Sequence, residues 1–343
     1  MRHLVLVSEA EATCGVEEFA RQMARRADAV ARPLGSALDG AEDVVLNLPL
    51  SAWKKRLVAP VVAAARARLA SRQVTIVLHE WADLKLARRL SYLPLLPLAT
   101  RLLFSSPEIR AQFEATPVSR VVTRARGVMP IPPNFSVPDW TQGSGLTDRL
   151  AAERAAGRLV VAQFGSIYLR KDPLAFLAVI AELVARGIDV HAVMIGGFVR
   201  DSGDVEGAFN AELVRLGLAG RVTVTGYVRG APELYGLFAQ VDAFLYPLGE
   251  GLTSRRGSVL AAALSGRPVV VSAPARADAF AHHALFRTLV ARGVLQLVPR
   301  EAGVGALADA VLATRGVSAR PLDATREVEA VWADAIAALE GRA

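Results

Sequence analysis

The sequence has a single cysteine, Cys14, among 343 residues. No intrachain disulfide can form, and the composition suits a reducing compartment. No run of about 18 uncharged apolar residues occurs, so no membrane-crossing helix is expected. The opening stretch MRHLVLVSEAEAT reads as a short strand followed by acidic residues, without the apolar run and cleavage site of a signal peptide. A cytoplasmic protein is the expectation. Signature motifs are missing too. There is no GxGxxG, no GxxxxGK[ST], no DxD carboxylate pair and no Cys/His spacing that fits zinc. A dinucleotide site and a P-loop are unsupported, and neither a metal nor another cofactor is expected.

What is present describes a well-folded chain. Hydrophobic residues make up 52% and charged residues 21%, and the length accommodates two domains with separate cores. The net charge of +7 is unevenly spread. Residues 51–110 hold 11 Lys and Arg against 3 Asp and Glu, interleaved with Trp, Tyr, Leu and Phe. Basic amphipathic helices of this kind suit an anionic membrane surface or a phosphate-bearing lipid, which adds a peripheral place on the inner face of the plasma membrane to the expectation. The same block has the blander reading of helices surfaced with arginine. It shows no nucleic-acid-binding module.

Short aliphatic runs alternate with helical patterns along the chain. They fall at 3–8, 44–50, 74–79, 101–106, 160–165, 191–197, 221–227, 243–248, 268–273 and 294–298. Near-continuous runs of this kind are what a parallel sheet covered on both faces needs. Helices are expected at 16–27, 173–187 and 212–220, with an amphipathic one at 324–341. The alternation predicts a doubly wound α/β architecture. It pauses at the proline-rich 129–145, read as an interdomain connection. The domains expected are residues 1–137, a linker at 138–157, and 158–323, with a final helix at 324–343 packing back on the first.

In open α/β sheets ligands bind at the carboxyl ends of strands, so residues just past each run are the candidates. His79 follows VTIVL directly. Gly15 lies in the turn Thr13-Cys14-Gly15-Val16 between the first strand and first helix, where a bare backbone approaches an anion. Gly165 ends the first strand of the second half. Arg170 and Lys171 follow it, just before Asp172-Pro173 opens a helix. Arg255, Arg256, Gly257 and Ser258 precede VLAAALSG, so two guanidinium groups stand at an electropositive helix start. Together these predict a diphosphate-bearing ligand. His282 and His283 lie in a helix-like stretch and read as surface residues.

The second half resembles the retaining glycosyltransferases of family 4. FGSIYLRKD (164–172) resembles that family's FGR-x4-KG. VMIGG (193–197) resembles its strand ending in IGxG, and RVTVTGYV (221–228) its strand ending in GxV. LYGLFAQVDAFLYPLGEG (234–251) resembles Y-x2-AD-x-F-x-P-x-x-EG, and LAAALSGRPVVVS (260–272) resembles LEAMA-x-G-x-PVV-x-S. In the first half CGVEEFARQMA, LHE and IPPNF resemble the family's first turn, strand-end histidine and hinge. The resemblance implies the GT-B fold, two Rossmann-like doubly wound parallel-sheet domains facing across a cleft, the second binding a nucleotide-sugar donor. It assigns His79, Glu250 and Lys171 to catalysis. To donor binding it assigns Gly15, Gly165, Ser166, Gly226 and Tyr227. The departures fall in this site. The family pairs two glutamates eight positions apart, but counting from Glu250 reaches Ser258, and counting back from Gly266 reaches Ala261 and Thr253. Ser166 replaces the arginine after the glycine, and Arg255 with Arg256 are expected to restore that charge.

The implied activity is metal-independent hexosyl transfer with retention, to a polyprenyl-linked saccharide of cell-surface polysaccharide synthesis that meets the basic first domain. A sugar-nucleotide epimerase of the same fold and a non-catalytic nucleotide-sugar-binding homologue are the alternatives.

Overall fold

The structure is a computed structural model, and it describes residues 2–9, 14–38, 40–122, 125–133, 137–199, 204–317 and 322–342. Thr13 of the first turn and residues 134–136 of the proline-rich stretch lie outside these. The chain divides into two compact units. Unit 1 comprises Met1–Asn134, Asp278–His283 and Val328–Ala343, and unit 2 comprises Phe135–Ala277 and Ala284–Glu327.

Unit 1 is built on a parallel sheet of β1 (His3–Val7), β2 (Ala29–Pro33), β3 (Asp43–Leu48), β4 (Gln73–Leu78), β5 (Arg101–Phe104) and β6 (Ala125–Val128). The strands lie in the order β2-β1-β3-β4-β5-β6. Four of these match expected aliphatic runs. β1 and β3 are buried along their whole length, the two-sided cover that such runs demand. The other two, β2 and β6, are the sheet's edges. They read AVARP and ARGV and are mostly half-buried or exposed, so neither carries a continuous apolar run. Between the strands run α1 (Gly15–Arg26), α2 (Ala59–Leu69), α3 (Leu86–Tyr92), α4 (Pro107–Glu114) and α5 (Val118–Val121). Trp53, Trp81, Tyr92, Phe104 and Phe113 fill the core beside them.

Unit 2 repeats the plan with β7 (Leu159–Phe164), β8 (Val190–Ile195), β9 (Val222–Val224), β10 (Ala243–Tyr246), β11 (Val269–Ser272) and β12 (Leu295–Val298). Their order is β12-β11-β10-β7-β8-β9, again parallel. The helices are α6 (Gly145–Ala155), α7 (Pro173–Ala185), α8 (Val205–Arg215), α9 (Ala231–Phe238), α10 (Gly257–Leu264), α11 (Ala284–Ala291) and α12 (Gly303–Ala313). α6 lies inside the stretch expected as a linker. Its start is set by Ser144, whose hydroxyl accepts from the Thr147 amide as an N-cap. The helix expected at 212–220 ends at Arg215, because Gly217 turns the chain with φ +66°.

His283 corrects the sequence reading. It is fully buried, and its Nε2 donates to the Ile131 carbonyl at 3.1 Å. The segment before α11 is a string of turns rather than a helix, so it tucks this imidazole inward.

The last helix, α13 (Ala324–Glu340), carries Trp332, which is buried against Phe19 of α1 with nearly parallel rings 5.5 Å apart. The Arg26 guanidinium lies 4.7 Å from the Trp332 ring centre. Trp332→Ala should cost about 3–5 kcal/mol by emptying this pocket, seen as a lower urea midpoint at unchanged slope. Trp332→Phe should lose much less. Equal losses for the two would show that the stacked ring contributes nothing.

Candidate functional site

The carboxyl end of the second sheet gathers most of the expected residues. β7 ends at Phe164, and Gly165 follows with φ +118°, a conformation that only glycine adopts cheaply. A Cβ at Gly165 would overlap the ammonium of Lys171. Gly196, after β8, has φ +153°, and a Cβ there would overlap the Gly165 carbonyl. The strand ends therefore meet backbone to backbone. Thr225 Oγ1, after β9, accepts from the Gly196 amide at 3.1 Å and donates to the Gly226 carbonyl at 2.7 Å. Gly226 has φ +72°, and the Tyr227 beyond it is 80% exposed.

Lys171 closes a single 3-10 turn, Leu169–Lys171, and is only 8% exposed. Its Nζ donates to Ser258 Oγ at 3.3 Å and lies 5.7 Å from the centre of the Tyr168 ring. No carboxylate lies within ion-pair distance of it among the described residues. Burial, and then the neighbouring Arg256, push its pKa down to about 7. Asp172 follows in the left-handed region at φ +49°, and its carboxylate accepts from the Gly249 amide at 2.6 Å. That bond ties the β7 loop to the β10 loop. Gln163 steadies the same turn, its Nε2 donating to the Lys171 carbonyl at 3.2 Å.

Arg256 is the N-cap residue of α10, so Gly257 and Ser258 occupy the first two helical positions. The guanidinium does not stand free. Its Nη2 is ion-paired with Glu250, and its Nη1 donates to the Tyr168 hydroxyl at 3.1 Å. Glu250 is also approached by Arg170 at 3.9 Å. The carboxylate that the resemblance assigns to catalysis is thus held by two arginines. Arg255 is half-buried in the same turn and Ser166 is exposed. Tyr246 supports the arrangement from beneath. Its hydroxyl accepts from the Phe164 amide and donates to the Ser258 carbonyl, both at 3.2 Å. Tyr168, Asp172 and Tyr246 carried no signal in the sequence, since a tyrosine or aspartate near a strand end is unremarkable without coordinates.

His79 and Gly15 belong to unit 1. His79 follows β4, is buried, and donates from Nε2 to Asn47 Oδ1 at 3.0 Å. Phe19 of α1 meets the imidazole edge-on at 5.4 Å. Gly15 is the exposed first residue of α1, so this helix start and His79 are neighbours at the carboxyl end of the first sheet. Among the described residues no three His, Cys, Asp or Glu side chains form a metal-ligand group.

Unit 2 therefore offers an electropositive corner. A buried ammonium, the Arg256 guanidinium and the N-terminus of α10 converge on Gly165, an arrangement that favours a multiply charged anion. Gly165→Ala tests its tightness. The positive φ and the overlap with Lys171 together should lower stability by about 1–3 kcal/mol on thermal unfolding. An unchanged midpoint would mean that the lysine does not pass over this glycine.

Residues 158–314 match the family model described as glycosyl transferases group 1, over somewhat less than half the chain. No curated protein matches the chain by sequence. Among solved structures, HepE (Alr3699) of Anabaena in complex with UDP is similar at 18% identity and a TM-score of 0.61, covering 100% of this chain and 95% of that one. Sucrose-phosphate synthase of Thermosynechococcus elongatus is similar at 15% identity and a TM-score of 0.68, with 100% and 98% covered. A glycosyltransferase of Rickettsia africae is similar at 11% identity and a TM-score of 0.61, with 98% and 93% covered. The two-sheet α/β fold is that of the GT-B glycosyltransferases, and the segment matched by the family model is the one that carries the electropositive corner.

Proposed function

We propose that this chain is a retaining, metal-independent hexosyltransferase of the family 4 type. It moves a sugar from a nucleotide-sugar, with a uridine diphosphate sugar as the first candidate donor, to a lipid-linked saccharide of cell-surface polysaccharide synthesis. The observation that carries this reading is Lys171, a buried lysine with a hydroxyl and a second cation beside it instead of a carboxylate. Uncompensated charge in a buried site is costly, and a diphosphate is the ligand that would relieve it. The family match over residues 158–314 supports the same assignment, and the UDP in the HepE structure supports the choice of base.

In this reading Lys171, Arg256 and the amides opening α10 hold the diphosphate. They stabilise the charge that grows on the leaving phosphate, the electrostatic contribution that usually dominates catalysis. Of the two positions that counting allows for the family's second glutamate, Ser258 faces Lys171 while Ala261 is fully buried in α10. Serine leaves Lys171 without a counter-ion. Arg256, engaged with Glu250 in the empty site, would supply the charge that Ser166 lacks. The exposed ring of Tyr227 beside the open backbone of Gly226 suits the base, and Arg170 and Arg255 border the phosphates.

Thermal unfolding with UDP, GDP, ADP and TDP, run without metal, tests donor binding. A nucleotide at ~100 times its dissociation constant adds about 2.7 kcal/mol. UDP should stabilise the chain, and Arg256→Ala should weaken its affinity by roughly one to two decades, the value of a charged hydrogen bond. Lys171 sets the pH dependence. Its lowered pKa means that the empty site holds a neutral amine above about pH 7, whereas a bound diphosphate needs the ammonium. Affinity should therefore fall as pH rises above about 7, by up to about tenfold per unit, with Lys171→Met weak and flat throughout. For the empty chain the sign is opposite. The cost of burying a charged lysine is fully present below the folded pKa and is relieved as pH climbs toward the unfolded value. A level affinity profile in the unmutated chain would remove Lys171 from the diphosphate. Labelled sugar appearing in a lipid extract, with UDP released, separates transfer from epimerisation and from binding alone.

A further inference from the structure

α2 is packed inside out. A surface helix normally turns its large aliphatic residues inward, but here the side facing the core presents Pro60, Ala63, Ala64 and Ala67. The outward side carries Val58 just before the helix, then Val62 and Leu69. They are 69%, 51% and 87% exposed and fall at helical spacing. α3 repeats the pattern, with Leu86 and Leu90 four positions apart and both exposed. Six of the fourteen exposed large hydrophobic residues among those described fall between residues 57 and 90, a tenth of the chain. The clustering is too strong for scattered surface leucines.

The charge around these rows is mostly positive, with Glu80 and Asp83 the acids between them. From Val44 to His79 the sequence contains no Asp or Glu, and it contains Lys54, Lys55, Arg56, Arg66, Arg68 and Arg72. Lys85, Arg88 and Arg89 flank the second row. Lys54, Lys55 and Lys85 are exposed. Arg56 pairs with Glu9 at 3.2 Å, and both are more than half exposed. Exposed aliphatic side chains set among a local excess of cations match the interface of an anionic bilayer, where acyl chains take the one and phosphates the other.

We infer that the outward face of α2, with the α3 row beside it in sequence, is a docking surface for an anionic phospholipid membrane. Val58, Val62 and Leu69 enter the acyl boundary, and Lys54, Lys55 and Lys85 meet the headgroups. The inference deepens the proposal of a lipid-linked acceptor but stands on surface residues alone, so it is tested separately from donor binding.

The full chain is sedimented with vesicles of phosphatidylcholine and with vesicles in which part of that lipid is replaced by phosphatidylglycerol. Binding should require the anionic lipid and weaken with salt. Each lysine changed in Lys54→Gln/Lys55→Gln/Lys85→Gln should cost about fivefold in partitioning. Val58→Ser/Val62→Ser/Leu69→Ser, which touches only exposed positions, should lose binding at low salt while keeping the unfolding midpoint and any UDP response of the parent. Equal binding to both vesicle types overturns the inference, as does binding that neither triple variant reduces. So does lipid-free self-association abolished by the serine variant, which would make the occupant of this face a second copy of the chain.

Discussion

The carboxyl edge of the second sheet is organised around one buried ammonium. Lys171 has Arg256 on one side, the N-terminus of α10 on another and the bare backbone of Gly165 beneath. Each of the charged neighbours raises the cost of keeping it protonated. Elsewhere in the chain buried charge is compensated, as where Glu17 accepts from Arg21 and the Ser8 amide. A fold that satisfies its interior there and sets two basic groups side by side here suits an anion, as the proposed diphosphate site requires. Local violations of this kind are what functional sites look like.

Glu250 explains why the violation persists. Its carboxylate serves Arg256 and Arg170 and leaves Lys171 alone. Asp172, next in sequence to Lys171, spends its carboxylate on the Gly249 amide. Both acids that might have neutralised the lysine are tied to other partners, one electrostatically and one structurally. Arg256 is held by Glu250 and by the Tyr168 hydroxyl, and a phosphate arriving at Lys171 would compete for the same guanidinium. Binding there is an exchange of anions at Arg256 as much as an addition.

Much of this was legible in the sequence, and the gaps have physical reasons. Ten strands announced themselves as short apolar runs, the pattern that a parallel strand covered on both faces needs, and VVLNL and VVAQF keep it with one polar residue each. β2 and β6 escaped because AVARP and ARGV are short and carry arginines where solvent reaches them, whereas β9 and β12, edge strands too, lie in runs apolar enough to be read. Lys171 could be placed at a strand's carboxyl end because Pro173 marks the start of α7. Its burial could not be read, since that depends on Tyr168, Tyr246 and Ser258 converging from separate loops. His283 looked like a surface residue because a pair of histidines among small polar residues usually is one. Only the turn before α11 carries it to the Ile131 carbonyl.

α2 raises a different question about how apolar area is allocated. Alanine buries little surface, so a helix packed through Ala63, Ala64 and Ala67 gains far less from the core than one packed through leucines, at about 25 cal/mol per Å². The small side chains let α2 approach β3 and β4 closely, which accounts for the inner face. They do not account for Val58, Val62 and Leu69, which contribute nothing to that packing and would be replaced by polar residues at no loss to the fold. Water offers no reward for them, and the adjoining lysines show that the surface is not short of polar side chains. The distribution suits the proposed docking surface, where the outer face meets a second, partly apolar solvent with negative charge at its boundary. The basic block and the exposed aliphatic rows are then two halves of one feature, and the excess of Lys and Arg in residues 51–110 is local because the surface that needs it is local.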